Sequence, residues 1–445
     1  MNLSFQLAER ATAGRPVRLG LIGAGKFGTM FLAQLRLTKG MHLTGLADLM
    51  PGRTKDRLAE IGWSAEQMAA ASLDDAIATG ASHVGDDQLA LIAHPEIEVI
   101  IEATGDPANG IRIAKAAIDA GKHIVMVNVE ADALAGPILA KRAREKGVVY
   151  SLAWGDQPAL ICEHIDWARA CGFDVVSAGK GTRYHPTYHT STPDTVWDHL
   201  NKYLKIEQRS HINPKMFNSF IDGTKSGIEM TAVCNAMDLH PQSNGLSFPP
   251  SSRFDVAEVC KPKADGGVLE KAGVTEVISS ITREDTEVPH NLVMGTYVVI
   301  GSESSYSHTC FREYNCLPDS SGKYAALYRP THMIGLELGL SVASAALRGE
   351  PTGAARVFNS DVVATAKRPL KSGEMLDGEG GFTVWGKQCP AKTSVSEGYL
   401  PLGLAHNVKL KSDIVEGAPV RWSDVDYDAT ADEVVTRRAM EAEFG

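Results

Sequence analysis

Apolar positions along the chain repeat in two periods, and their alternation predicts the architecture before any single residue is interpreted. Val17, Leu19, Leu21 and Ile22 form a short apolar run that stops at Gly23, after which Phe27, Met30, Phe31 and Leu35 recur at helical spacing. That order is strand, tight turn and helix, and it returns downstream. Residues 42–48 read as an apolar strand ending in Asp48, residues 53–80 as an alanine-rich helical stretch, and residues 95–103 as a buried strand halted by Thr104-Gly105-Asp106-Pro107. Residues 110–120 predict a helix, 121–130 a strand closing on Asn128 and Glu130, 137–147 a helix and 148–153 a further strand. Strands alternating with helices in this way predict an α/β fold with a parallel, doubly wound Rossmann sheet over residues 1–155, led by a short amphipathic helix within 1–16.

The pattern then changes twice. Asp156 precedes a helix that carries Pro158 in its first turn and Gly172 beyond its end. Residues 156–360 mix strands such as 288–301 with helices such as 331–347, which predicts an α+β catalytic and dimerisation domain. From 361 to 445 the chain turns to short strands and tight turns. The phrase running from Ala366 through Lys371 and Gly373 to Gly378 has a relative running from Leu404 through Lys411 to Gly417, so a small β-rich module is expected. Three domains suit a chain of 445 residues, too long for one ordinary core.

Composition narrows the partners. Hydrophobic residues make up 44% and charged residues 22%, as in soluble globular proteins. The net charge of −10, with Lys and Arg dispersed, argues against nucleic acid and against an anionic membrane surface, because phosphate binding needs a basic face. The seven cysteines lack C-x-x-C spacing, which predicts reduced thiols in a cytoplasm and no zinc site. The first residues lack the cationic-then-apolar order of a signal peptide, and no apolar run reaches membrane-spanning length.

Chemistry concentrates first in Gly23-Ala24-Gly25-Lys26-Phe27-Gly28. Placed between a strand and a helix, G-x-G-x-x-G is a dinucleotide fingerprint. Gly23 makes the turn, Gly25 lets a pyrophosphate approach the backbone, Gly28 packs helix on strand, and the helix N-terminus offers free N–H groups. Asp48, about twenty residues beyond Gly28, stands where such a fold hydrogen-bonds the adenosine ribose. A carboxylate there repels a 2′-phosphate, so NAD is favoured over NADP, although Arg53 is close enough in sequence to meet one. The other reading of Asp48 is a turn or cap acid. Thr104, Gly105 and Asn128 close the later strands on the same edge and complete the candidate cofactor site.

Candidate catalytic groups come from the middle region. Lys180, flanked by Gly179 and Gly181 at the end of an apolar run, is suited to give a proton or hydrogen bond to a carbonyl undergoing reduction; alternatively it is an exposed turn lysine. Asp222, Lys225 and Glu229 are spaced i, i+3, i+7 and share one face of a predicted helix, either lining a polar cleft or forming a solvated stripe. His185, His189 and His332 read as structural histidines without metal-triad spacing.

Taken together, Gly23-x-Gly25-x-x-Gly28, Ala103-Thr104-Gly105-Asp106-Pro107, Asn128-Val129-Glu130-Ala131-Asp132, Gly155-Asp156-Gln157-Pro158-Ala159-Leu160 and Phe220-Ile221-Asp222-Gly223-Thr224-Lys225 resemble the homoserine-dehydrogenase-like oxidoreductases that carry a C-terminal SAF domain. The resemblance spans nearly the whole chain. It implies a homodimeric NAD(P)-dependent enzyme acting on a small polyhydroxylated substrate, coupling hydride transfer to rearrangement of a carbon skeleton as D-apionate oxidoisomerases and deoxyxylulose-phosphate-reductoisomerase-like enzymes do. It also implies that Lys225 or Lys180 moves the proton while Asp222 and Glu229 position it. An NADPH-dependent ketose phosphate reductoisomerase is the second expectation, with Arg183, Lys205 and Ser219 as candidate phosphate ligands. A regulatory protein that binds NAD without catalysis is the third.

Overall fold

Val17–Ile22 (β1) is buried at five of its six positions, as a strand covered on both faces must be. The computed structural model describes residues 2–202 and 213–445, so Lys205 lies outside the described residues. They divide into two compact units, residues 1–160 with 333–356, and residues 161–332 with 357–445. Among the described residues no helix is long and apolar enough to cross a membrane.

In the first unit β1 is joined by Met41–Ala47 (β2), His83–Gly85 (β3), Val99–Glu102 (β4), His123–Met126 (β5) and Tyr150–Leu152 (β6). The sheet has the order β3-β2-β1-β4-β5-β6 and every pairing is parallel. This is the doubly wound Rossmann order, which reverses between β1 and β4. Its core gathers Leu19, Leu21, Phe31, Leu32, Leu46 and Ile101 with Val342 of the helix Gly339–Arg348 and Leu338, its N-cap. Several boundaries differ from the sequence expectation. The stretch 53–80 is interrupted, giving helices Pro51–Glu60 and Leu73–Thr79, and β3 follows where no strand was expected. The helix expected over 137–147 begins a full two turns earlier, at Val129–Lys146, with Pro137 inside it; Glu130 therefore sits in a helix and not on a strand end. Asn128 is its N-cap, accepting from the Ala131 N–H at 3.1 Å.

The second unit is built on a mixed sheet of order β10-β9-β7-β8, made of Asp174–Thr182 (β7), Val274–Ser279 (β8), Thr296–Gly301 (β9) and Tyr324–Arg329 (β10). Apolar residues cover both faces, Ala178, Val277 and Val298 on one side and Val176, Ile278 and Val299 on the other. The strand expected over 288–301 is confined to β9. The helix Thr224–Met237 packs Met230 and Val233 into the first of these clusters. The C-terminal region is β-rich, with Ser360–Ala366 (β11) pairing Val384–Pro390 (β13), and Met375–Asp377 (β12), His406–Leu410 (β14) and Val425–Asp426 (β15) forming a three-stranded sheet. The two related phrases meet: Leu370 and Ile414 exchange backbone hydrogen bonds at 2.8 and 3.0 Å, and Lys371 pairs with Asp413. A closing helix, Asp432–Phe444, is clamped by Arg437, whose guanidinium is wholly buried against Asp361 and Glu441.

Two carboxyls of the first unit are buried without full compensation. Burial pushes Glu102, the last residue of β4, up to about 7, and pushes Asp132, which accepts from the Tyr150 hydroxyl at 2.9 Å, up to about 7. Both are raised, so between the ordinary carboxylate range and pH 7 the folded protein holds protons that the unfolded chain has lost, and stability falls as pH rises through this window. The melting temperature is expected to be lower at pH 8 than at pH 6, and Asp132→Asn is expected to shrink that difference, as thermal unfolding across pH reads directly. Arg437→Met, which leaves Asp361 buried and unpaired, is expected to cost about 3–5 kcal/mol in urea unfolding.

Candidate functional site

The glycine turn has the geometry its spacing predicts. Gly23 has φ +92°, and a Cβ there would sit 2.6 Å from the Ala103 carbonyl oxygen; a Cβ on Gly28 would sit 2.7 Å from the Gly23 oxygen. These two positions accept only hydrogen. At Gly25 a Cβ would meet nothing within 4 Å, so open space lies over the turn where a phosphate group would approach. Gly25 also caps the helix Lys26–Leu35 without a side-chain cap bond, leaving the first-turn amides for a ligand. Lys26 is exposed at the first helical position, and Phe27 is half-buried against the core.

Asp48 follows β2 and faces this turn. Its Oδ2 accepts from the Ala24 N–H at 2.9 Å and its Oδ1 from the Met50 N–H at 3.0 Å, so the carboxylate braces the turn while remaining beside it. The turn-acid reading of Asp48 is the one these two bonds describe. Arg57, which the sequence reading passed over, donates to the Ala24 carbonyl at 3.0 Å; Arg53 lies one turn before it and contacts the Met50 sulfur. Their i, i+4 spacing was the available signal.

On the other side of β1, Thr104 donates through its N–H at 2.9 Å and its hydroxyl to Glu102, which folds the loop back on its strand. Gly105 has φ +71° and is open. Asn128 is buried, with its amide committed to the Asp106 carbonyl at 2.8 Å and its oxygen to Ala131, so it holds the loop between β4 and the helix Pro107–Asp119. Turn, Asp48 and loop all lie at the carboxyl ends of β1, β2 and β4, and this set fits an adenine dinucleotide.

The second unit holds the candidate catalytic groups. Lys180 is not a turn lysine: it lies inside β7, 3% exposed, and its Nζ pairs with the Glu229 carboxylate, itself 1% exposed. Its glycine neighbours have a packing reason, since a Cβ on Gly179 or Gly181 would collide with the carbonyls of Glu276 or Leu292. Asp222 is not in the helix with Lys225 and Glu229. It ends the preceding helix Pro214–Ile221, Gly223 at φ +90° breaks the path, and the new helix starts at Thr224, whose N–H donates to Asp222 Oδ1 at 2.9 Å. Asp222 Oδ2 is 2.7 Å from the Nζ of Lys367, a partner 145 positions away that no sequence signal announced. The expected stripe is therefore no solvated face. Asp222 and Glu229 are buried in separate ion pairs, and only Lys225, next to Glu229 at i, i+4, is partly exposed.

Of the phosphate candidates, Arg183 pairs with Asp285 at 3.3 Å and the Ser219 hydroxyl donates to its own helix at Met216, so these two are not gathered. His189 is a satisfied structural histidine, with Nδ1 on the Asp222 carbonyl at 2.8 Å and Nε2 on the Tyr184 hydroxyl at 2.7 Å; His185 meets the Arg283 carbonyl and His332 the Met294 carbonyl.

Residues 17–152 match a family described as oxidoreductase family, NAD-binding Rossmann fold, and residues 155–338 match one described as oxidoreductase DRL, catalytic domain. A 1-deoxy-D-xylulose 5-phosphate reductoisomerase of Stutzerimonas stutzeri is 24% identical over 182 residues, covering 41% of this chain and 45% of that protein. A homoserine dehydrogenase of Pseudomonas aeruginosa is 28% identical over 137 residues, 30% of this chain and 28% of its own length. The chain thus spans about half the length, or less, of the curated relatives it matches. Among solved structures, a putative myo-inositol dehydrogenase from Sinorhizobium meliloti covers 75% of this chain and 90% of its own at 12% identity and a TM-score of 0.38. A DOX-P reductoisomerase in complex with magnesium covers 51% and 58% at 15% identity and a TM-score of 0.34. With its glycine turn and strand order, this chain carries an NAD(P)-binding Rossmann domain, followed by a region similar to the oxidoreductase DRL catalytic domain.

Proposed function

We propose that the protein is an NAD(P)-dependent oxidoreductase, with NAD favoured, that oxidises a small polyhydroxylated acid and couples this to rearrangement of its carbon skeleton, in the manner of a D-apionate oxidoisomerase. The observation that carries the reading is the helix face on which partly exposed Lys225 adjoins Glu229, with Glu229 held by buried Lys180. Bound NAD(P) supplies the hydride acceptor. Gly23, Gly25 and Gly28 hold its pyrophosphate, and Asp48 accepts from the ribose hydroxyls. Lys225 is the group that takes the substrate hydroxyl proton. The Lys180 and Glu229 pair positions that face and carries no net charge. The alternative, an NADPH-dependent reductoisomerase acting on a ketose phosphate, draws support from the sequence relatives, whereas Arg183 and Ser219 are committed elsewhere.

Turnover of a panel of sugar acids, followed as NADH absorbance, tests the reaction. Lys225→Met is expected to lower kcat by roughly 10²-fold or more, the usual contribution of a positioned acid or base, with cofactor affinity unchanged. Full turnover in both Lys225→Met and Lys180→Met defeats the lysine mechanism, and no turnover of any sugar acid or ketose phosphate by the wild type favours a cofactor-bound sensor. For the cofactor, Asp48→Asn keeps an oxygen for the Ala24 N–H and removes the charge. It is expected to narrow the preference for NAD over NADP by about tenfold, or ~1.4 kcal/mol, in binding titrations; tighter NADP binding by the wild type refutes the preference.

A further inference from the structure

Within the second unit lies a cavity that the proposed reaction does not use. It has a volume of about 270 Å³ and is lined by Tyr184, His189, Trp385, Phe248, Lys387 and Gly227, among others. It is on the far side of the helix Thr224–Met237 from the lysine face. Gly227 lines it, and Lys225 and Glu229 each stand two positions from Gly227 in the helix, which at 100° per residue turns them to the opposite face.

The walls are built from two aromatic stacks. Tyr184 lies on Phe248 with ring centres 3.8 Å apart, and His189 lies on Trp385 at 3.7 Å. The hydrogen bonds from Tyr184 to His189 and from His189 to the Asp222 carbonyl join the stacks and hold both rings in place. The loop that supplies Leu246 and Phe248 is fastened from behind by buried Glu276, which accepts from the Ser247 N–H at 3.0 Å and the Phe248 N–H at 3.2 Å. These are preorganised walls. The glycines on the helix side leave the space: a Cβ on Gly223 would press the His189 ring at 3.3 Å, and one on Gly227 would lie 2.9 Å from the Gly386 oxygen.

Charge in the lining is one-sided. Among the described residues Lys387 is the one cationic side chain in the lining apart from neutral-prone His189, and none of them in the lining is Asp or Glu. Among the described residues its Nζ donates only to the neutral Asn244 oxygen, at 2.8 Å, and half-burial lowers its affinity for a proton. A ligand carboxylate would supply the missing countercharge. Size limits the rest of the ligand. A cavity of 150 Å³ holds benzene and drug-sized ligands need about 300 Å³ or more, so this one takes a single ring with small substituents and excludes a dinucleotide.

We propose that the cavity is a second binding site, for a small aromatic carboxylate whose ring packs on the exposed part of Trp385 and whose anion meets Lys387. The site is independent of the hydride-transfer reading, since it shares no residue with it. The test titrates the full-length protein with 4-hydroxybenzoate, benzyl alcohol and inorganic phosphate, by calorimetry and by ligand-observed NMR. Saturable binding of 4-hydroxybenzoate is expected, with benzyl alcohol at least tenfold weaker and phosphate not competing. Lys387→Gln, a partly exposed position that should leave the fold intact, is expected to weaken it at least tenfold, and Trp385→Leu to abolish it. Absence of saturable 4-hydroxybenzoate binding, unchanged affinity in Lys387→Gln, or displacement by phosphate alone overturns the proposal.

Discussion

A charge removed from water has to meet its opposite, and the second unit is organised by that requirement. Lys180, Lys367 and Arg437 are 3%, 3% and 0% exposed, and they pair with Glu229, with Asp222, and with Asp361 and Glu441 respectively. These pairs bind strand β7, the start of the C-terminal module and the closing helix to the surroundings of the helix Thr224–Met237. The same helix reaches β11 through Thr231 and Asn235, which bond Ser360. A slip of one residue anywhere in this set would strand a buried charge, at a cost of several kcal/mol. The pairs thereby define register, and they leave Lys225 as the lysine of the group with access to solvent.

The first unit solves a different problem by different means. Its site is made by removing side chains: Gly23 and Gly28 let strand, turn and helix approach within contact distance, and Gly25 keeps the space above the turn empty. Around that gap the polar groups are used twice. Asp48 braces the turn that it borders, and Thr104 and Asn128 spend their hydrogen bonds on shaping the loop at the end of β4. The turn offers backbone and one carboxylate to a ligand, while the other polar groups serve as scaffold.

This contrast explains what could be read in advance. A Rossmann turn is a local object, so the pattern of Gly23, Gly25, Gly28 and Asp48 was visible from spacing, and the alternation of apolar strands with helices pointed to a parallel, doubly wound sheet, although β3 gave no signal. Helix limits were less legible. Pro137 looks like a helix start, yet the chain is already helical from Val129 because Asn128 caps it, and a proline is tolerated where neighbouring packing outweighs one lost hydrogen bond. The i, i+3, i+7 spacing of Asp222, Lys225 and Glu229 suggested one stripe, but Gly223 interrupts the helix between the first and the others.

What the sequence by itself determined is the class of the first unit and its glycine turn, because each depends on neighbours within one strand, turn and helix. Only the tertiary structure decided which lysine is buried and which is reachable. Lys180 and Glu229 are 49 positions apart, Asp222 and Lys367 145. Partners so distant are chosen by how sheets and helices pack, and no local period records that choice.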